Sequence, residues 1–134
     1  MTVHLDHMLV PAHDKLGSAR LLAELLGVPW SDHGVGPFAP VFVNDGFTMD
    51  FDEWKEPFEK IHYCFRVSEG EFDAVLGRLK ARGIEFRSNV HGPVDYAVNT
   101  QHGGRIVYWN EPEGHYWEML TESYARRPRE ENDR

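Results

Sequence analysis

Of the eight histidines and twenty-two acidic residues in this chain, only a few fall where they could act together. His7 lies in the run Val3-His4-Leu5-Asp6-His7-Met8-Leu9-Val10, and His62 in Ile61-His62-Tyr63-Cys64-Phe65-Arg66-Val67. Glu118 lies in His115-Tyr116-Trp117-Glu118-Met119-Leu120. Each run is short, apolar and rich in β-formers, which reads as strand. On the last, alternation puts Tyr116, Glu118 and Leu120 on one face and Trp117, Met119 and Thr121 on the other. A buried, unpartnered carboxylate is costly, so Glu118 must face solvent, pair with a cation or bind a metal. Two imidazoles and one carboxylate, with positions left for water or substrate, form a facial set that suits Fe(II), Mn, Co, Ni or Zn. Asp50 is the candidate fourth ligand or base, on a strand face shared with Thr48 and Asp52. Arg66, on the face of His62, could bind an anionic part of a substrate. Cys64 reads as a small core residue rather than a nucleophile. His102 and His115 read as loop histidines, Tyr63, Trp109 and Trp117 as core, and Tyr96 as a pocket cover.

These residues need elements to position them. A helix is expected from Asp14 as N-cap to Gly27 as stop, with Leu16, Ala19, Leu22, Ala23 and Leu26 as its packed stripe. The first strand is expected to close at Pro11. Strands near 40–43 and 47–52 are joined by the turn Asn44-Asp45-Gly46. After the polar link 54–60 the pattern restarts at Ile61. Ser68 and Glu71 form a capping box for a second helix, with Phe72, Val75, Leu76 and Leu79 as its stripe and Gly83 as its stop. A short strand at 85–88 and a long loop at 89–104 lead to a hairpin, in which strands at 105–109 and 115–120 flank Asn110-Glu111-Pro112-Glu113-Gly114.

Laid side by side, the halves match. His7 and His62 are 55 residues apart and Gly27 and Gly83 are 56 apart, while Asp50 and Glu118 each sit on the last strand of their half. Self-similarity at a fixed offset marks a repeat, here a duplicated βαβββ unit in an α+β fold. One domain over 1–125 is expected, with modules at about 1–55 and 60–123 and a charged, disordered tail from Arg126 to Arg134. If the modules pack about a pseudo-twofold axis, His7, His62 and Glu118 converge on one concave sheet face.

Composition narrows the partners. A formal net charge of −8 argues against nucleic acid or an anionic membrane surface. No apolar run reaches the roughly 18 residues of a spanning helix, and Met1-Thr2-Val3-His4 does not open a signal peptide. The single Cys64 rules out an internal disulfide and fits a reducing compartment, so a cytoplasmic location is expected.

The segments Leu5–Val10, His62–Val67 and Asn110–Leu120 resemble the vicinal oxygen chelate superfamily, which includes glyoxalase I, methylmalonyl-CoA epimerase, fosfomycin-resistance thiol transferases, extradiol dioxygenases and bleomycin-binding proteins. The acid-Pro-acid-Gly turn with Glu four residues later matches Glu111 to Glu118. The resemblance implies two βαβββ modules forming a curved mixed sheet, a half-barrel around a central cavity with helices outside. It places the family's divalent-metal ligands on His7, His62 and Glu118, its remaining position near Asp50, and a site-lining residue on Tyr108. It implies a small-molecule substrate held through adjacent oxygens, with a glyoxalase- or epimerase-like lyase or isomerase favoured. The alternatives are a metal-free drug-binding protein, to which the three ligands are superfluous, and an extradiol-type dioxygenase. Members of this length usually form homodimers, whose sites lie within one chain or between two.

Overall fold

The computed structural model describes residues 2–126; the expected tail lies, beyond Arg126, outside the described residues. The elements run β1 (His7–Ala12), α1 (Lys15–Leu26), β2 (Ala39–Asn44), β3 (Phe47–Glu53), β4 (His62–Arg66), α2 (Glu69–Ala81), β5 (Phe86–Arg87), β6 (Ile106–Asn110) and β7 (Tyr116–Leu120). The helix ends are set by local chemistry. Asp14 accepts from the Gly17 N–H, and Gly27 closes α1 in the left-handed region at φ 72. Ser68 and Glu71 form a reciprocal capping box on α2.

The strands form two sheets, in the orders β1-β3-β2 and β4-β7-β6-β5. In each, the first strand of the module pairs parallel to the last, β1 with β3 and β4 with β7. Trp30 bridges Val41 as an isolated pair where the second module has β5 beside β6, so the first module keeps one residue of its extra strand. The duplication is therefore visible in topology as well as in spacing. The half-barrel is divided between the two sheets, and β1 and β4 are edge strands.

One face of each sheet packs on the helices. Val10, Ala12, Val41, Met49 and Phe51 in the first module, and Tyr63, Trp109, Trp117 and Met119 in the second, join Leu22, Leu25, Phe72 and Leu79 in one core. Each of the Val, Leu, Phe and Met side chains among them is worth about 1.5–3 kcal/mol on burial. Two sequence expectations are corrected. Leu16 is 42% exposed and Leu25 is buried in its place, because α1 packs on α2 as well as on β2 and β3. The first strand also runs through Pro11 to Ala12, which an edge strand tolerates because the missing N–H costs no ladder bond.

The modules are tied together by polar contacts near the hairpin turn. Glu113 accepts from the Asp14 N–H at 2.9 Å and from the Ser18 hydroxyl at 3.3 Å. His115 reaches the Pro11 carbonyl at 2.8 Å, and Arg78 donates to the Leu25 carbonyl at 3.0 Å.

Candidate metal centre

Strand register builds the site. On the face of the second sheet away from the helices, Cys64 of β4 lies across from Glu118 of β7 and Glu118 across from Tyr108 of β6. Tyr108 in turn lies across from Arg87 of β5. His62 stands one row away on β4, opposite Tyr116. Glu118 is 0% exposed, so its carboxyl group needs partners within the protein. It has them: His62 Nε2 donates to Oε1 at 2.7 Å, and Tyr124 Oη lies 2.8 Å from each carboxylate oxygen. A strand residue that sequence alone allowed to face solvent is thus the buried centre of a polar cluster.

The neighbours are tuned by that burial. Desolvation, then the charge of Glu118, raises the Tyr108 hydroxyl above its ordinary pKa. Tyr124 is raised by desolvation and by its hydrogen bond to Glu118. Cys64, expected in the core, keeps an exposed surface on the site face instead. Crowding around its sulfur, then Glu118, pushes the thiol to about 12, so it stays protonated at neutral pH and is no nucleophile.

His7 and Asp50 stand on the first sheet. They line one cavity with Asp6, Thr48 and Phe42, on the face away from the helices. The His7 ring binds Asp6 at 2.8 Å, which, with the more distant Asp50, raises its pKa. The ladder shows why Asp50 and Glu118 correspond. Asp50 is opposite Leu9 of β1 and Pro40 of β2, as Glu118 is opposite Cys64 of β4 and Tyr108 of β6.

Of the six sequence-predicted site residues, the structure brings His62, Glu118 and Tyr108 together, with His7 and Asp50 on a second face. Arg66 shares the face of His62 four residues along, at the exposed end of β4. Within one chain His7 does not join the pair: among the described residues no three His, Cys, Asp or Glu side chains form a metal-holding group. The donors at hand, an imidazole nitrogen against a buried carboxylate, are nonetheless of the kinds that borderline divalent ions prefer.

Sequence reasoning missed two residues. Arg87 is buried on the row of Glu118; it donates to the Val90 carbonyl at 2.8 and 3.1 Å and to Asn110 Oδ1 at 2.8 Å, pinning the start of the 89–104 loop. Its pairing with Tyr108 was in principle readable from alternation in the strand at 85–88. Tyr124 follows the last strand, and nothing in its spacing signals a return to Glu118.

No family model and no curated protein matches the sequence. Solved structures do. Oxidase ChaP-H2 and oxidase ChaP-H1 are each 38% identical over 93% of this chain, with TM-scores of 0.87, covering 98% and 100% of their own lengths. The fosfomycin resistance protein FosX from Mesorhizobium loti shares the fold at 17% identity and a TM-score of 0.68, over 92% of this chain and 96% of its own. A glyoxalase/dioxygenase from Nostoc punctiforme does so at 20% and 0.66, over 90% and 91%. The 38% identity places the chain in one family with these two oxidases, and its fold is the one that the resemblance to the vicinal oxygen chelate superfamily implied. Among the described residues no helix is long and apolar enough to cross a membrane.

Proposed function

We propose that this protein is a divalent-metal-dependent enzyme of the superfamily, acting on a small molecule that presents adjacent oxygens. The observation that carries the reading is the 2.7 Å contact of His62 with the buried Glu118 on one sheet, while the corresponding His7 stands on the edge strand of the other. We infer that the centre is completed between two copies. The edges of β1 and β4 present unpaired backbone groups, which favour coverage by another strand. Laying β1 of one copy beside β4 of a second would bring its His7 toward His62. Charge supports the match: Asp6 and Asp50 flank His7, whereas Arg66 and Arg87 share the face of His62.

His62 and Glu118 of one copy and His7 of the other would hold the ion, which when bound supplies Lewis acidity to substrate oxygens. Asp50, which lines a cavity with His7, would take or return a proton. Tyr108 lines the floor, and Arg66 at the mouth attracts an anionic substrate group. The name of the 38%-identical neighbours supports an oxidation as the reaction. A glyoxalase- or epimerase-like proton transfer is the second reading, and the placement of Asp50 favours it. Metal-free drug binding is disfavoured by the buried pairing of His62 with Glu118.

Metal analysis tests the centre, and complementation tests its location. His7→Ala and Glu118→Ala chains should each lack stoichiometric metal. A mixed dimer would carry one intact site and one doubly defective site, so a refolded equimolar mixture should regain metal. No recovery, while the wild type binds one ion per chain, would exclude the shared site.

A further inference from the structure

The segment after β7 turns back onto the residue that β7 carries. Its base is fixed: the Thr121 N–H donates to the Arg105 carbonyl at 3.1 Å, and Thr121 Oγ1 accepts from the Arg105 N–H at 2.9 Å. Gly104 lets this turn sit against bare backbone, since a Cβ there would come within 2.5 Å of Thr121 Oγ1 and 2.9 Å of Glu122 Cβ. From that base the chain brings Tyr124 Oη to 2.8 Å from both oxygens of Glu118. The tip is held lightly. Tyr124 is 47% exposed, its ring lies 5.6 Å from the His102 ring, and the Ala125 N–H donates to Ser123 Oγ two residues back.

Equal distances place the hydroxyl near the bisector of the carboxylate, where a cation sits when a carboxylate binds it through both oxygens. A buried carboxylate needs donors or a positive charge. Without an ion, His62 and Tyr124 supply the donors; with one, the ion supplies the charge and claims the same space.

Resting on the metal-centre reading above, we propose that Tyr124 is a place-holder for the ion. Its hydroxyl donates to Glu118 where an ion held through both oxygens would lie and gives way to that ion, so that the tip at 123–126 swings outward. The segment thereby sets metal affinity without contributing a ligand. A tyrosine that stayed in place and oriented Glu118 from behind would have the opposite effect on affinity, which makes the sign of the change decisive.

The test titrates the full-length wild type and Tyr124→Phe with Co(II), followed by visible absorption, and digests both with trypsin. Tyr124→Phe keeps the ring and removes the competing hydroxyl, so Co(II) should bind on the order of tenfold more tightly. In the wild type, Co(II) should speed cleavage after Arg126 by releasing the tip. Equal or weaker binding by Tyr124→Phe, or cleavage that Co(II) leaves unchanged or slows, overturns the place-holder while leaving the metal centre intact. If neither the wild type nor Tyr124→Phe binds Co(II), the metal-centre reading itself falls, and this inference with it.

Discussion

His115 and Pro11, 104 residues apart, are joined by a hydrogen bond from imidazole Nε2 to the backbone carbonyl at 2.8 Å. On its other side the ring accepts the Ile61 N–H through Nδ1 at 3.1 Å. One nitrogen therefore donates and the other accepts, which requires the neutral imidazole. Burial first, then the charge of Lys60, lowers its pKa, although the Pro11 carbonyl and Glu113 act the other way. Because the folded value lies below the unfolded one of about 6.5, the unfolded state binds the proton first. His115 therefore costs stability progressively as pH falls below about 6.5, until the folded-state pKa is passed. The raised pKa of the exposed His7 has the opposite sign, so the effect is read as a difference. Thermal unfolding between pH 5 and 8 should show the wild type losing stability toward acid more steeply than His115→Gln. Parallel curves would show that the clasp does not titrate in this way.

Asp50 is expected to act beside the ion rather than on it. It occupies the ladder position of Glu118, but its side chain is one methylene shorter, and the nearby His7 ring binds Asp6. Asp50→Asn should keep one ion per chain while His7→Ala loses it, as measured by metal analysis of dialysed protein. Turnover in Asp50→Asn should fall by about 10²–10⁴, the usual range for a lost general base. Loss of the ion from Asp50→Asn would make Asp50 a ligand.

The capping box of α2 gives a local prediction. Ser68 accepts from the Glu71 N–H at 3.1 Å while Glu71 accepts from the Ser68 N–H at 2.9 Å. Ser68→Ala should lower stability by about 1 kcal/mol, seen as a shift of the urea midpoint without a change of slope. No shift would mean that α2 is held by packing alone.

Gly104→Ala should cost about 1–3 kcal/mol, because the added methyl meets Thr121 and Glu122 well inside contact distance. Displacing that turn should also draw Tyr124 away from Glu118, so the variant should resemble Tyr124→Phe in its Co(II) affinity. Wild-type stability would show that the turn relaxes freely.

Much of this architecture is legible in the sequence because it is local. Asp14, Gly27, Ser68 and Glu71 set helix ends through bonds spanning a few residues. The 55-residue offset of His7 and His62 carries the duplication, and alternation alone puts Glu118 opposite Trp117. What escaped depends on packing between distant segments. The stripe of α1 was misplaced at Leu16 and Leu25 because α2 covers a side of the helix that periodicity cannot see. The burial of His115 follows from a carbonyl contributed by the other module. The separation of His7 from His62 was open for a related reason: spacing shows that two halves are alike, whereas the distance between their edges depends on how the sheets are set, within one chain or across two. Tyr124 was invisible because its role rests on a reversal of direction after β7.

The strand order has a consequence for biosynthesis. In the second sheet β7 lies between β4 and β6, so it is at once the last of that sheet's described strands in chain order and the one that joins the others. The strands of the first sheet are all available once residue 53 has left the ribosome, but β4 waits for β7, its one neighbour among the described strands, until residues 116–120 have been added. A nascent or prematurely terminated chain that lacks β7 therefore carries an open second sheet and an incomplete shared core. A chain cut short before that point has His62 but not the buried carboxylate that it contacts.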